Sequence, residues 1–527
     1  MDHIASRSRA LSLTEILQAV GEFLSLGQRA NAMQINAFWK ASLMPLIYRD
    51  IELSYVLTRD DMGSRYVNFP PFAILAENSH HIRSATVIGY PQGQTNVEFF
   101  GLRCNFLKKF TWRLTGDSED LVEPVLWDSM VEFLKMNQSE LRYITIGCQC
   151  ENMKGFWKSL AVEPFLMLKS LSIKNGNSIV DGETGMMIWE ACRGLETLEL
   201  NIRGELAQSV MSVKDDMDGA KTRIEELRGS SGSKRRAIDD LDESFLFPRM
   251  KAFKGSRIKS HDGAWLSVMK QCPNLELIQI GNNKQLLPGL LEATTSAEIW
   301  PNLNSMELSF PGMTDKCVAD LVLSINKSFH QGQGSEAFCG KERHLKSFRG
   351  SANVGRLAID ALLSHGHLGG LECLDIFTPY TRSIDLLVIL TSCPGLKTFR
   401  ANKIFAADIQ CTPSQPWVCL RLESWDVGID MDLKKWSRPV GIASDPTMKE
   451  LQDACLEQLG RLTELRVLMV CGQTHSKIAV GMRLKISCGL EQLARLQKIE
   501  TISSAGAMKE DLAWMYRHWT KLNDIRL

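Results

Sequence analysis

The phrase Leu-x-x-(apolar)-x-(apolar) recurs along most of this 527-residue chain and restricts what it can fold into. It reads LRYITI from Leu141, LKSLSI from Leu168, LETLEL from Leu195, LELIQI from Leu275 and LNSMEL from Leu303. It returns as LKSFRG from Leu345, LECLDI from Leu371, LKTFRA from Leu396, LESWDV from Leu422, LRVLMV from Leu465 and LNDIRL from Leu522. Many of these starts lie 25 to 28 residues apart. That period and wording are those of a leucine-rich repeat, in which each unit is one short strand and a returning helix. A single unit cannot bury its apolar face, so neighbours must stack into a solenoid. The expected fold is therefore an α/β solenoid, a leucine-rich-repeat horseshoe with parallel strands on the concave face and helices on the convex face. Degenerate repeats are expected from Ile82 and Leu107, and the solenoid spans residues 81–527.

A solenoid also explains how so long a chain avoids the size limit of a single core, because each repeat adds its own slice. Basic and acidic residues balance at 61 each. A net charge of zero argues against a generic nucleic-acid binder or a polybasic membrane clamp, since both need a sustained positive field. The 14 cysteines are scattered, several in apolar slots such as Cys272, Cys393 and Cys455. Buried free thiols imply a reducing compartment, cytoplasmic and/or nuclear. No apolar signal core opens the sequence and no window of 18 uninterrupted apolar residues occurs, so no membrane contact is expected.

Residues 8–53 follow a different rhythm. Leu13, Ile16, Leu17, Val20, Phe23 and Leu24 recur at helical spacing, with Thr14-Glu15 as a helix start. After a break at 25–29 a second helix is expected through Ala32, Ile35, Phe38 and Trp39, ended by Pro45 before an extended segment. A linker with Pro70-Pro71 occupies 54–80.

Leu13-Thr14-Glu15-Ile16-Leu17, Phe23-Leu24, Trp39-Lys40 and Pro45-Leu46-Ile47-Tyr48-Arg49-Asp50-Ile51 resemble the F-box, a three-helix motif of substrate receptors in cullin-based ubiquitin ligases. Thr14 stands where the family has proline, and Asn36-Ala37 stands near its usual Val-Cys. The resemblance implies that Leu13, Glu15, Ile16, Leu17, Phe23, Leu24, Trp39, Pro45 and Leu46 dock a Skp-type adaptor, and through it a cullin. An F-box followed by leucine-rich repeats also implies that the repeats hold a protein substrate. The plainer reading is a helical cap shielding the first repeat, in a repeat scaffold with no ubiquitin-ligase role.

Residues 205–246 interrupt the repeats with a charged, Gly/Ser-rich insertion read as flexible, in which Lys234-Arg235-Arg236 is read as a solvated loop. Chemistry is harder to find. The chain has no phosphate loop, nucleophile elbow, dinucleotide fingerprint or His-Glu-x-x-His. Cys148-x-Cys150 lacks a second pair at zinc spacing, and His80-His81 and His365-x-His367 lack a partner set. The expectation is a non-catalytic protein without metal or cofactor. The repeats can instead present a surface: between the inward apolar positions, the central outward residue is Arg349, Asp375, Arg400 and Asp426 in consecutive units. Phe377 follows Asp375 on the same face, an aromatic anchor of the kind that interface hot spots use. These five residues are the expected substrate contacts; mutual neutralisation that merely keeps the sheet soluble is the alternative.

Overall fold

The computed structural model describes residues 13–55, 67–68, 72–88, 99–113, 124–147, 154–162, 165, 167–173, 187, 191–192, 194–200, 247–255, 264–281, 287–295, 300–309, 313–327, 345–350, 354–363, 370–376, 378, 381–411, 415–431, 447–470, 481–503 and 507–526. They form two compact units, residues 1–272 and 273–527. The insertion 205–246 and Phe377 lie outside the described residues.

In the first unit, three helices lead into a parallel sheet. Helix α1 covers residues 13–22, α2 Leu26–Ala32 and α3 Ala37–Tyr48. The helix boundaries differ from the sequence expectation at two points. The stretch 25–29 begins α2 instead of separating helices, because Ser25 and Gln28 close a capping box (Gln28 N to Ser25 Oγ 3.3 Å, Ser25 N to Gln28 Oε1 2.8 Å). The real break is at Met33–Asn36, where the Asn36 side chain caps α3 by accepting from Trp39 N at 2.9 Å. Pro45 does not stop the helix either; it lies inside α3, which runs on to Tyr48. Leu43 and Leu46 flank it and are both buried, so packing outweighs the roughly 3 kcal/mol that a helix-interior proline costs.

The chain continues into β1 (Asp50–Tyr55), which pairs antiparallel with β2 (Val67–Asn68) and parallel with β3 (Ser84–Ile88). The stretch read as a linker thus holds β2 and a short helix, Phe72–Glu77. Parallel pairing then proceeds in sequence order through β4 (Lys109–Arg113), β5 (Tyr143–Gly147), β6 (Ser170–Ile173), β7 (Thr197–Leu200) and β8 (Ala252–Gly255).

The second unit repeats the plan through β9 (Leu277–Gly281), β10 (Ser305–Ser309), β11 (Ser347–Gly350), β12 (Cys373–Ile376), β13 (Thr398–Phe405) and β14 (Ser424–Asp430). It ends with β15 (Val467–Met469), β16 (Thr501–Ser503) and β17 (Asp524–Arg526), each strand parallel to the one before. Both units are α/β leucine-rich-repeat solenoids. The repeat leucines Leu141, Leu275, Leu345, Leu396 and Leu465 are buried, as are the alternate strand residues on the helix side. Cys272, Cys393 and Cys455 are buried in the apolar slots, where burial pushes each thiol up, Cys393 to about 12.

Neighbouring repeats are tied by two devices. Within each unit, the residue that leads into a repeat's strand offers its carbonyl to two amides of the next repeat: Lys346 O accepts from Glu372 N at 2.8 Å and Cys373 N at 3.0 Å. In addition, some side chains cap the following repeat's helix. The Asp315 carboxylate, on helix Asp315–Lys327, accepts from Gly355 N (2.8 Å), Leu357 N (2.9 Å) and Ala358 N (2.9 Å) at the start of helix Arg356–Leu363.

Candidate protein-interaction surfaces

Two surfaces concern function: the outer face of α1–α3, and the sheet face that the helices do not cover.

The three N-terminal helices are fastened to each other by Arg29, which donates from Nε to Gly21 O (2.7 Å) and from one terminal nitrogen to Leu46 O (3.2 Å). Gly21 allows α1 to lie directly on α3; a Cβ there would come within 2.6 Å of Leu43 and Leu46. Arg49 then joins α1 to the first strand through Glu22 at 2.8 Å, and the Glu22 and Asp50 carboxylates raise its already high pKa. Leu17, Leu43 and Leu46 form the small interior. Many of the module's other apolar side chains point outward: Leu13 and Val20 are exposed, Ile16 is 56% exposed, Phe23 90%, and Leu26 and Ile35 62% each. Of the residues matched to adaptor docking, Leu13, Glu15, Ile16 and Phe23 are exposed, Leu24, Trp39 and Pro45 half-buried, and Leu17 and Leu46 face inward.

On the second unit's uncovered face, strand register places Gln279, Glu307, Arg349, Asp375, Arg400 and Asp426 side by side. Gln279 Nε2 donates to Glu307 Oε1 at 2.9 Å. Arg400 lies between two carboxylates, 3.6 Å from Asp375 and 3.1 Å from Asp426, the latter contact close but not aligned as a hydrogen bond. Arg349 has no carboxylate within 4 Å among the described residues. Its pKa is raised first by a hydrogen bond to Cys373, then by the charges of Glu307 and Asp375. Burial pushes the Asp375 and Asp426 carboxyls up, and the neighbouring Arg400 only partly offsets it.

The alternating row therefore holds itself together at a cost to its acids. The sign follows from the direction of the shift. A carboxyl whose folded pKa is raised adds stability fully only below its unfolded pKa, and that stability is lost as pH rises through the folded value. Asp426 also has one buried oxygen without a hydrogen-bond partner. Asp426→Asn is accordingly expected to leave the unfolding free energy at neutral pH within about 1 kcal/mol of wild type, or to raise it. It should also flatten the pH dependence through the acid range. Urea titrations at acid and neutral pH check this, and a loss well beyond that margin at neutral pH would mean that the pairing with Arg400 outweighs the burial.

A second outward row is found at the residues that lead into the strands. In the second unit it alternates too: Lys346, Glu372, Lys397, Glu423, Arg466 and Glu500 follow one another through backbone bonds. Lys397 holds Glu372 at 2.7 Å, and Arg466 reaches Glu423 at 3.9 Å and Glu500 at 3.5 Å. In the first unit the same position reads Arg49, Arg83, Lys108, Arg142 and Lys169, linked in the same way, before Glu196 and Lys251. Reading only the central outward residue of each repeat misses this row. The residue directly after each repeat's leading apolar residue, leucine or isoleucine in most and Tyr48 or Met250 in two, is the signal available in the sequence.

No protein-family model matches the sequence. No curated protein matches it either. Among solved structures, the chain is similar to one in the crystal structure of the TLR13–ssRNA13 complex, at 12% identity and a TM-score of 0.38, over 87% of this chain and 60% of that one. A second similarity is to a chain in the Rad7 and Elc1 complex from yeast, at 12% identity and a TM-score of 0.37, over 83% of this chain and 94% of that one. This chain thus spans less than two thirds of the first structure's length. Among the described residues, no helix is long and apolar enough to cross a membrane, and no three His, Cys, Asp or Glu side chains are grouped to hold a metal ion.

Proposed function

We propose that this protein is a non-catalytic substrate receptor of an SCF-type ubiquitin ligase. Helices α1–α3 dock a Skp-type adaptor and, through it, a cullin, while the repeats hold the target protein. One observation carries the reading: the three-helix module leaves Leu13, Ile16, Val20, Phe23, Leu26 and Ile35 exposed. A module that served only to cap the solenoid would turn its apolar side chains toward the repeats. Here Leu17, Leu43 and Leu46 suffice for the interior, and an apolar surface remains, of the kind that marks a protein-interaction site. Rigid docking at one end and target capture along the sheet would raise the effective concentration of the target near a ubiquitin-charged enzyme.

The test is capture of purified adaptor by the full chain and by a chain lacking residues 1–48, a cut that spares β1 and its pairing with β3. Capture by the full chain and none by the shortened one is expected. Equal capture by both, or by neither, would leave a leucine-rich-repeat interaction scaffold as the function.

A further inference from the structure

The first unit's row of lead residues is a stack of like charges. Arg49, Arg83, Lys108, Arg142 and Lys169 occupy consecutive strands, as the bonds Arg83 N–Arg49 O (2.8 Å), Lys108 N–Arg83 O (2.7 Å), Arg142 N–Lys108 O (2.8 Å) and Lys169 N–Arg142 O (2.9 Å) establish. Neighbouring strands are about 4.8 Å apart, and like charges facing each other across strands are destabilising. Among the described residues, only the ends of the row are compensated, Arg49 by Glu22 at 2.8 Å and Lys169 by Glu196 at 2.9 Å. Arg83, Lys108 and Arg142 have no carboxylate within 4 Å among the described residues, and Arg142 Nε is buried without a hydrogen-bond partner. The fold does not require this arrangement. At the same position the second unit alternates its charges from Lys346 to Glu500, and Lys397 and Arg466 are paired with neighbouring glutamates.

We propose that this cationic row is where the repeats hold their target, and that the target presents an extended acidic peptide segment. The reading rests on the receptor function proposed above for its biological use, but the binding itself needs no adaptor. An extended peptide places every second side chain on one face, about 6.7 Å apart, so the roughly 10 Å from Arg83 to Arg142 accommodates about two carboxylates. Beside the cations run Thr86, Thr111, Thr145 and Ser172, in register and uncharged; Thr86 and Thr145 are half-buried, whereas Thr111 is buried and the Ser172 hydroxyl already donates to Glu199 at 2.7 Å. Single-stranded nucleic acid would also meet the charge, but it needs aromatic platforms for its bases. Tyr143 is exposed beside the row, whereas Phe106 is already covered by the Arg83 guanidinium at 4.2 Å.

The test is a fluorescence-anisotropy titration of the full chain with a labelled oligoglutamate, with no adaptor present. Saturable binding that weakens as salt rises is expected. Lys108→Gln with Arg142→Gln should weaken it by about tenfold, while Lys346→Gln with Lys397→Gln, in the second unit, should change it by less than about twofold. Lys108→Arg should retain binding, which separates charge from damage to the fold, and hydrogen exchange at β4 and β5 reports the fold directly. Absence of binding at low salt, equal weakening by the two double variants, or tighter binding of an oligouridylate of equal length would each overturn the proposal. Adaptor capture is measured separately, so either reading can fail while the other stands.

Discussion

Replacing Ile16 and Phe23 together with aspartate is expected to abolish adaptor capture while leaving the repeats as stable as before. Each large apolar side chain buried in an interface contributes about 1.5–3 kcal/mol. Losing two, and placing charge where apolar contact is required, corresponds to at least two orders of magnitude in affinity. The same substitutions should move folding stability by no more than about 0.5 kcal/mol, because both side chains already face solvent. This choice matters. Leu17, which the sequence match makes equally attractive, is only 8% exposed, so an aspartate there would disrupt the module's interior and lose capture for an uninformative reason. The measurement is a pull-down with purified adaptor alongside thermal unfolding of each variant. Undiminished capture by the folded double variant would remove the ubiquitin-ligase reading.

The second large effect is expected at Asp315. Its carboxylate receives three backbone N–H groups from the next repeat, so Asp315→Ala removes the N-terminal cap of helix Arg356–Leu363 and strands the Gly355 and Ala358 amides, the latter on a buried residue. A lost cap costs about 1 kcal/mol, and a buried amide left unpaired about 1–3 more, so a loss of roughly 2–4 kcal/mol is expected. Asp315→Asn keeps one acceptor oxygen and should fall between. Gly355 belongs to the same device: a Cβ there would approach Asp315 Oδ2 to 2.7 Å, so Gly355→Ala should be harmful as well. Hydrogen exchange resolves the effect locally, with protection lost first in residues 356–363. Uniform loss across the second unit would show instead that its repeats unfold together.

Much of the architecture was legible because the leucine phrase states both the strand and its buried face. Cys272, Cys393 and Cys455, expected as buried free thiols, are buried in the structure. β16 lacks the leucine phrase because its repeat opens with Ile499, although Ile499 and Ile502 are fully buried. The sequence marks β1 only as extended chain, yet it pairs with β3 over five residues. In the N-terminal module, apolar spacing alone could not locate the helix ends. Those depend on the Ser25–Gln28 box and the Asn36 cap, which are local hydrogen bonds independent of apolar periodicity. The alternating row from Arg349 to Asp426 could be read from the sequence, but its self-pairing could not, since that required strand register. The cationic row stayed hidden behind a net charge of zero, which averages two units with different charge patterns.

The paired bonds at each lead residue also bear on how such a chain can be edited. From Glu372 to Lys397 is 25 residues and from Glu196 to Lys251 is 55, yet Lys397 N and Thr398 N bond Glu372 O just as Lys251 N and Ala252 N bond Glu196 O. Strand alignment is thus set anew at every repeat and carries no memory of the length of sequence in between. Lengthening a closed loop costs only about 0.6 kcal/mol per doubling. A splice variant or an engineered reporter domain inserted within 205–246 would therefore leave β7 and β8 in step, whereas one residue added between Leu195 and Thr197 would put the whole strand on its wrong face.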